Sequence, residues 1–125
     1  MRVFREFRFE AAHRLPDAPP GHKCRRLHGH SYRLVVYVEG PIDPATGWVI
    51  DFADIKKVVD PLIEQLDHQY LNEIDGLSKP TAEVITRWAW NRLKPQLKGL
   101  CRLELFETAK CGCVYDGLTQ GAGGT

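Results

Sequence analysis

From His28 to Val38 every second residue belongs to one set: His28, His30, Tyr32, Leu34, Val36 and Val38. A period of two describes a strand with one covered face. This stretch must therefore lie in a sheet, with a buried side that begins in two imidazoles and ends in aliphatic side chains. The strand is predicted over residues 28 to 39. An earlier run, residues 2 to 13, has the same period: Val3, Phe7, Phe9 and Ala11 share one face, and Arg2, Glu6, Arg8 and Glu10 the other. Phe4 and Arg5 break the alternation near its start. Counting by two places His13 on the apolar face, so two strands each carry histidine at one end. The intervening residues 14 to 27 hold three prolines and a glycine and read as a loop.

The rest of the chain alternates between helical and extended patterns. Pro41-Ile42-Asp43-Pro44-Ala45-Thr46-Gly47 is turn chemistry, and Trp48-Val49-Ile50 is expected to return as a hairpin partner. Asp51 can cap a helix whose buried stripe is Phe52, Ile55, Val59, Leu62 and Leu66. Pro61 should kink it. Thr81 can cap a second helix with Val84, Ile85, Trp88, Ala89 and Leu93 inward, ended by Pro95 and Gly99. Residues 100 to 107 alternate again, with Cys101, Leu103, Leu105 and Glu107 on one face, and Cys113-Val114-Tyr115 reads as a short last strand. This order predicts an α+β domain over residues 1–117, an antiparallel four-stranded sheet with two helices on one face. A glycine-rich tail, residues 118–125, is expected to fray.

Composition excludes several classes of function. With 17 cationic and 16 anionic side chains the net charge is +1, which argues against nucleic acid and membrane surfaces as partners. No apolar run approaches the ~20 residues that a membrane helix needs, and the N-terminus lacks a signal-peptide core. The expectation is a cytoplasmic protein whose four cysteines are free thiols or ligands rather than disulfides.

Alternate strand residues have Cα atoms roughly 6.5 Å apart on one face, so His28 and His30 can converge on one ion, and Gly29 between them permits close approach. His13 completes a trio if its strand is the neighbour. Three histidines with an open position make a catalytic zinc site; a fourth protein ligand closes it into a structural one. Cys24, a potential thiolate flanked by Lys23, Arg25 and Arg26, fits either role: the closing ligand, or a base or nucleophile beside the metal. Imidazole also suits copper, iron and nickel, and zinc is the expectation for redox-neutral chemistry. Cys101 reads as a buried apolar side chain. Cys111-Gly112-Cys113 is a weak metal signal. Glu107 on an apolar strand face calls for a partner, unless the strand ends there. Asp67-His68 at a helix end fits a dipole contact more readily than a proton relay.

In these residues and their order the chain resembles the 6-pyruvoyl-tetrahydropterin synthase family. The matching stretches are Phe9-Glu10-Ala11-Ala12-His13-Arg14-Leu15, Cys24 with His28-Gly29-His30, Asp43-Pro44 with Gly47 to Phe52, Leu66-Asp67-His68 with Leu71-Asn72, Pro80-Thr81 with Glu83, and Glu107-Thr108. Together they run from about residue 4 to residue 117. Only Arg25, Arg26 and Leu27 separate Cys24 from His28, as in the bacterial, carboxy-forming branch that serves queuosine biosynthesis. The resemblance implies the tunnelling fold, with sheets joined into a barrel, usually a hexamer built as a dimer of trimers, and sites at subunit contacts. It implies one zinc ion per subunit on His13, His28 and His30, with Cys24 catalytic rather than a ligand. It implies an Asp67-His68 pair acting with Cys24, and a pterin anchored by Glu107 with Thr81 nearby. The implied reaction is a lyase step on 7,8-dihydroneopterin triphosphate that gives 6-carboxy-5,6,7,8-tetrahydropterin, acetaldehyde and triphosphate. The alternatives are triphosphate elimination alone, giving the pyruvoyl compound, or a small binding module stapled by zinc.

Overall fold

The computed structural model describes residues 1–117; the expected frayed tail lies outside them. Strand β1 (Arg2–His13) and strand β2 (His28–Glu39) form a long antiparallel ladder, from Arg2 opposite Glu39 to His13 opposite His28. After β2 the chain enters helix α1 (Phe52–Leu66), strand β3 (Gln69–Tyr70) and helix α2 (Ala82–Leu93), then strands β4 (Leu100–Phe106) and β5 (Gly112–Tyr115). The sheet order is β3-β1-β2-β4-β5. The α+β class with two helices holds. The sheet, however, is five-stranded and mixed rather than four-stranded and antiparallel, because β3 runs parallel to β1 with Gln69 opposite Ala11. Two residues are too short to show a period, so β3 leaves no pattern in the sequence.

Both helices start where capping chemistry places them. The Asp51 carboxylate accepts the Ala53 N–H at 2.9 Å, and the Thr81 hydroxyl accepts the Val84 N–H at 3.2 Å. Ile55, Val59, Leu62 and Leu66 of α1, and Ile85, Trp88, Ala89 and Leu93 of α2, are buried in one cluster with Phe7, Phe9, Tyr32, Leu34, Leu103 and Leu105 of the sheet. Each buried Val, Leu, Ile or Phe among them contributes about 1.5–3 kcal/mol on leaving water. Phe9 and Tyr32 stack at 4.8 Å between ring centres, directly behind the histidine end of the ladder. Pro61 lies on the exposed side of α1 and does not end it.

Two expectations fail for backbone reasons. Trp48-Val49-Ile50 is not a strand. The Trp48 carbonyl accepts the Asp43 N–H at 3.0 Å, which closes the 43–48 turn on itself and leaves Val49 and Ile50 to pack against the core. Cys101 is not a core residue either. A register shift pairs Tyr37 with Arg102 but Val38 with Leu100, so Cys101 is skipped as a bulge. Leu100 takes the core position, and the Cys101 thiol donates to the Tyr37 carbonyl at 3.6 Å.

The uncovered sheet face is charged and aromatic. Glu6 accepts from both Arg8 and Arg33, Arg33 lies over Phe106, and Glu104 pairs with Arg102. No helix among the described residues is long and apolar enough to cross a membrane.

Candidate metal centre

The ladder register makes His13 and His28 direct cross-strand partners, and His30 follows on the same face of β2. One nitrogen from each of the three rings lies within 4.8 Å of the other two. His13 is fully buried. Its Nδ1 sits 2.8 Å from the Pro80 carbonyl, and Nδ1 of His28 sits 2.7 Å from the Arg26 carbonyl. A ring nitrogen facing a carbonyl oxygen must carry the proton, so both rings present Nε2 as a lone pair. Those two Nε2 atoms are 3.0 Å apart. His30 Nε2 is buried without a hydrogen-bond partner among the described residues. Two imidazoles thus aim acceptor nitrogens at one point, and the third ring brings a nitrogen to the same point, an arrangement that a shared proton or a cation satisfies. Burial pushes the pKa of His13 and of His30 down, and the neutral ring is the form that ligates. The donor set fits a metal ion held by three imidazoles with coordination positions to spare. Carbonyls that fix the ring tautomers are the outer support such a site needs.

Cys24 stands in a single 3-10 turn, Lys23–Arg25, none of whose residues is buried. Its sulfur is not among the converging ligand atoms. Cys111 and Cys113 are also outside that group, and the Cys113 sulfur lies 3.0 Å from the Thr86 hydroxyl instead. Glu107 follows the last residue of β4 and opens a tight turn: its N–H reaches the Cys111 carbonyl at 2.9 Å, and Thr108 Oγ1 accepts from Lys110 and Cys111. Its carboxylate comes within 3.3 Å of His30 Nε2. The strand does end there, yet the group faces the trio, with its side chain only 27% exposed.

Asp67 is the C-cap of α1. Its Oδ1 accepts the Glu10 N–H at 2.8 Å, its Oδ2 lies 3.0 Å from His68 Nδ1, and these contacts, the backbone one foremost, hold the carboxyl below its usual range. His68 has a positive φ of 59°, unusual for a residue with a side chain. It is pinned there by its N–H on the Glu10 carbonyl at 2.5 Å. The His68 side chain is 77% exposed and lines an open cavity of about 490 Å³ with Glu10, Ala12, Gly29 and Ser31. By alternation those four belong to the uncovered face, while Ala11 and His30, from the covered face, also line the cavity. Among the described residues no hydrogen bond or ion pair joins Asp67 or His68 to Cys24 or to the trio. Thr81 spends its hydroxyl on the cap of α2, one residue after the carbonyl that holds His13.

Pattern reading missed Pro80, the Arg26 carbonyl, Tyr32 and the double hydrogen bond between the Asn72 side chain and the Arg14 backbone. Tyr32 alone left a signal, as the next residue on the imidazole face of β2; its hydroxyl is 3.3 Å from His13 Nδ1.

Residues 2–118 match the family model described as 6-pyruvoyl tetrahydropterin synthase. The chain is 43% identical over 119 residues to a 6-carboxy-5,6,7,8-tetrahydropterin synthase of Synechocystis, covering 90% of this chain and 91% of that one. It is 40% identical over 114 residues to a dihydroneopterin monophosphate aldolase of Pyrococcus furiosus, covering 89% and 93%. Its backbone superposes on the structure of Caenorhabditis elegans 6-pyruvoyl tetrahydropterin synthase with a TM-score of 0.86 at 27% identity, covering 94% and 95%.

Proposed function

The chain belongs to the 6-pyruvoyl tetrahydropterin synthase family, and from that premise we propose that it is a zinc-dependent lyase of the carboxy-forming branch. It converts 7,8-dihydroneopterin triphosphate to 6-carboxy-5,6,7,8-tetrahydropterin, acetaldehyde and triphosphate, in queuosine biosynthesis in the cytoplasm. One observation carries the reading: one nitrogen from each of three imidazoles converges on a single point, and a carboxylate stands 3.3 Å from one of them. A zinc-stapled binding module accounts for the trio but gives that carboxylate no task.

In this reading Glu107 accepts the paired N–H donors of the pterin edge and fixes the ring, with Thr81 nearby. Zinc, when bound to His13, His28 and His30, would acidify the side-chain hydroxyls of the substrate. Cys24 removes the carbon-bound proton as a thiolate. His68, oriented by the Asp67 carboxylate, moves protons in a later step. Among the described residues no hydrogen bond or ion pair joins Cys24 to Asp67 or His68, which agrees with a site completed in a homohexamer.

Cys24→Ala tests the reading. The zinc-loaded variant should keep its metal and its melting temperature and lose about 10²–10⁴-fold in turnover. Loss of metal together with unfolding would make Cys24 a structural ligand and end the proposal. Mass spectrometry of the wild-type product separates the carboxy-pterin from the pyruvoyl compound.

A further inference from the structure

We propose that His22 is a positioning residue for Cys24, whose neutral ring caps the turn that carries the thiol. The inference rests on the proton-abstracting role proposed for Cys24. Four of the five histidines have a place in the site described above; His22 is the fifth.

His22 occupies the N-cap of the turn Lys23–Arg25, with extended φ and ψ of −68° and 134°. Its Nδ1 lies 3.0 Å from the Cys24 backbone nitrogen. The amide is the donor, so Nδ1 must be unprotonated and the ring proton must sit on Nε2. Short oxygen side chains, Asn, Asp or Ser, ordinarily fill this place. Here an imidazole does so and reaches the N–H of the very residue assigned the base.

The surrounding bonds show why one cap can decide where the thiol sits. The Cys24 carbonyl accepts the Leu15 N–H at 2.7 Å, two residues past His13. The His22 carbonyl accepts the Arg25 N–H at 3.0 Å, and the Arg25 guanidinium donates to the Ala18 carbonyl at 3.1 Å. At the far end the Arg26 carbonyl holds His28. Both backbone groups of Cys24 are thereby tied, one to the strand that ends in His13 and one to the His22 ring. No residue of the turn is buried, so hydrogen bonds rather than packing hold it. A displacement of about 1 Å at a reacting group costs on the order of 10²-fold in rate. A loosened cap therefore lowers turnover without touching the metal or the pterin anchor.

The experiment compares His22→Ala and His22→Asn in the zinc-loaded, full-length protein labelled with 15N-cysteine. Steady-state constants, zinc content and amide exchange at Cys24 are read for each. In His22→Ala, the Cys24 amide should exchange at least about tenfold faster and kcat should fall about 10–100-fold. KM and zinc content should stay unchanged. In His22→Asn, whose side-chain oxygen can accept the same N–H, both values should return towards wild type. Wild-type kcat and exchange in His22→Ala would overturn the proposal. So would a His22→Asn variant as impaired as the alanine one, which would point to chemistry by the imidazole itself. Failure of the underlying assignment shows separately, as turnover that survives Cys24→Ala.

Discussion

The imidazole trio and the residues assigned to proton transfer are held in opposite ways. His13, His28 and His30 sit at the end of a long ladder, on the face that packs against the helices, and two of the rings are locked by main-chain carbonyls. Cys24 rides on an exposed single turn, and His68 is exposed at a positive φ. The trio needs a fixed ring orientation and a dry neighbourhood, which sheet register and burial supply. Groups that give and take protons need access, which loops and helix ends supply. Local strain at His68 belongs to the second kind of construction: its N–H on Glu10 and its contact with Asp67 hold a backbone angle that the residue would not choose.

The sharpest way to break this contrast is to remove one member of the trio. His30→Ala should reduce metal content towards zero and activity by at least about 10³-fold, with the sheet intact by circular dichroism. His30 is the right target because its Nε2 has no hydrogen-bond partner among the described residues and only the Glu107 carboxylate at 3.3 Å beside it, whereas His13→Ala also opens a buried cavity behind Phe9 and Tyr32. Full metal retention in His30→Ala would show that the convergence is incidental. Acid should reach the same state without mutation. Burial lowers the pKa of His13 and His30 from the usual 6.5, so below that value the unfolded chain binds more protons than the folded one. Stability from the neutral rings is therefore present above 6.5 and lost as pH falls through the depressed values. Metal release runs in the same direction.

The trio was also the part of the site most legible in the sequence, and the reason is physical. A period of two fixes which side chains share a face, so His13, His28, His30 and Tyr32 could be placed together before any geometry existed. The sheet core followed from the same rule and failed where the period is interrupted, at the Cys101 bulge; on α1 the expected inward Phe52 is exposed instead. What stayed hidden depends on main-chain direction after a turn. Strand β3 exists because the chain reverses at His68 and lays two residues along Ala11 and Ala12. The Pro80 carbonyl faces His13 because of where α2 begins. Neither has a residue-type signature. Asp67 showed as a carboxylate beside a histidine, but not as the clamp on the Glu10 amide that ties α1 to β1.

Glu107 lies between the two kinds of construction: a loop residue whose turn is fixed by Thr108 and Cys111, with its carboxylate against His30. If it anchors the pterin and does not ligate metal, Glu107→Gln should raise KM about 10–100-fold, the loss expected for a hydrogen bond to a charged group. The metal should stay, and kcat should change less than KM. Metal loss in this variant, measured by elemental analysis, would move Glu107 into the trio's own construction.

The smallest effect is predicted at Tyr32, and it asks how much of the trio's rigidity is main-chain work. The Tyr32 hydroxyl is 3.3 Å from His13 Nδ1, while the Pro80 carbonyl is 2.8 Å from the same atom. One N–H shared between two acceptors gives most of its strength to the nearer. Tyr32→Phe keeps the ring that stacks on Phe9 and removes only the weaker acceptor, so the core should not notice. Metal affinity should fall by about tenfold, the low end for loss of an outer-shell partner, with an unchanged melting temperature of the metal-free chain. No change in affinity would assign the orientation of His13 to the Pro80 carbonyl alone. A loss well beyond 100-fold would show that a side-chain hydroxyl, not the backbone, sets the ring, and the contrast between ladder-built ligands and loop-built proton carriers would then rest on His28 alone.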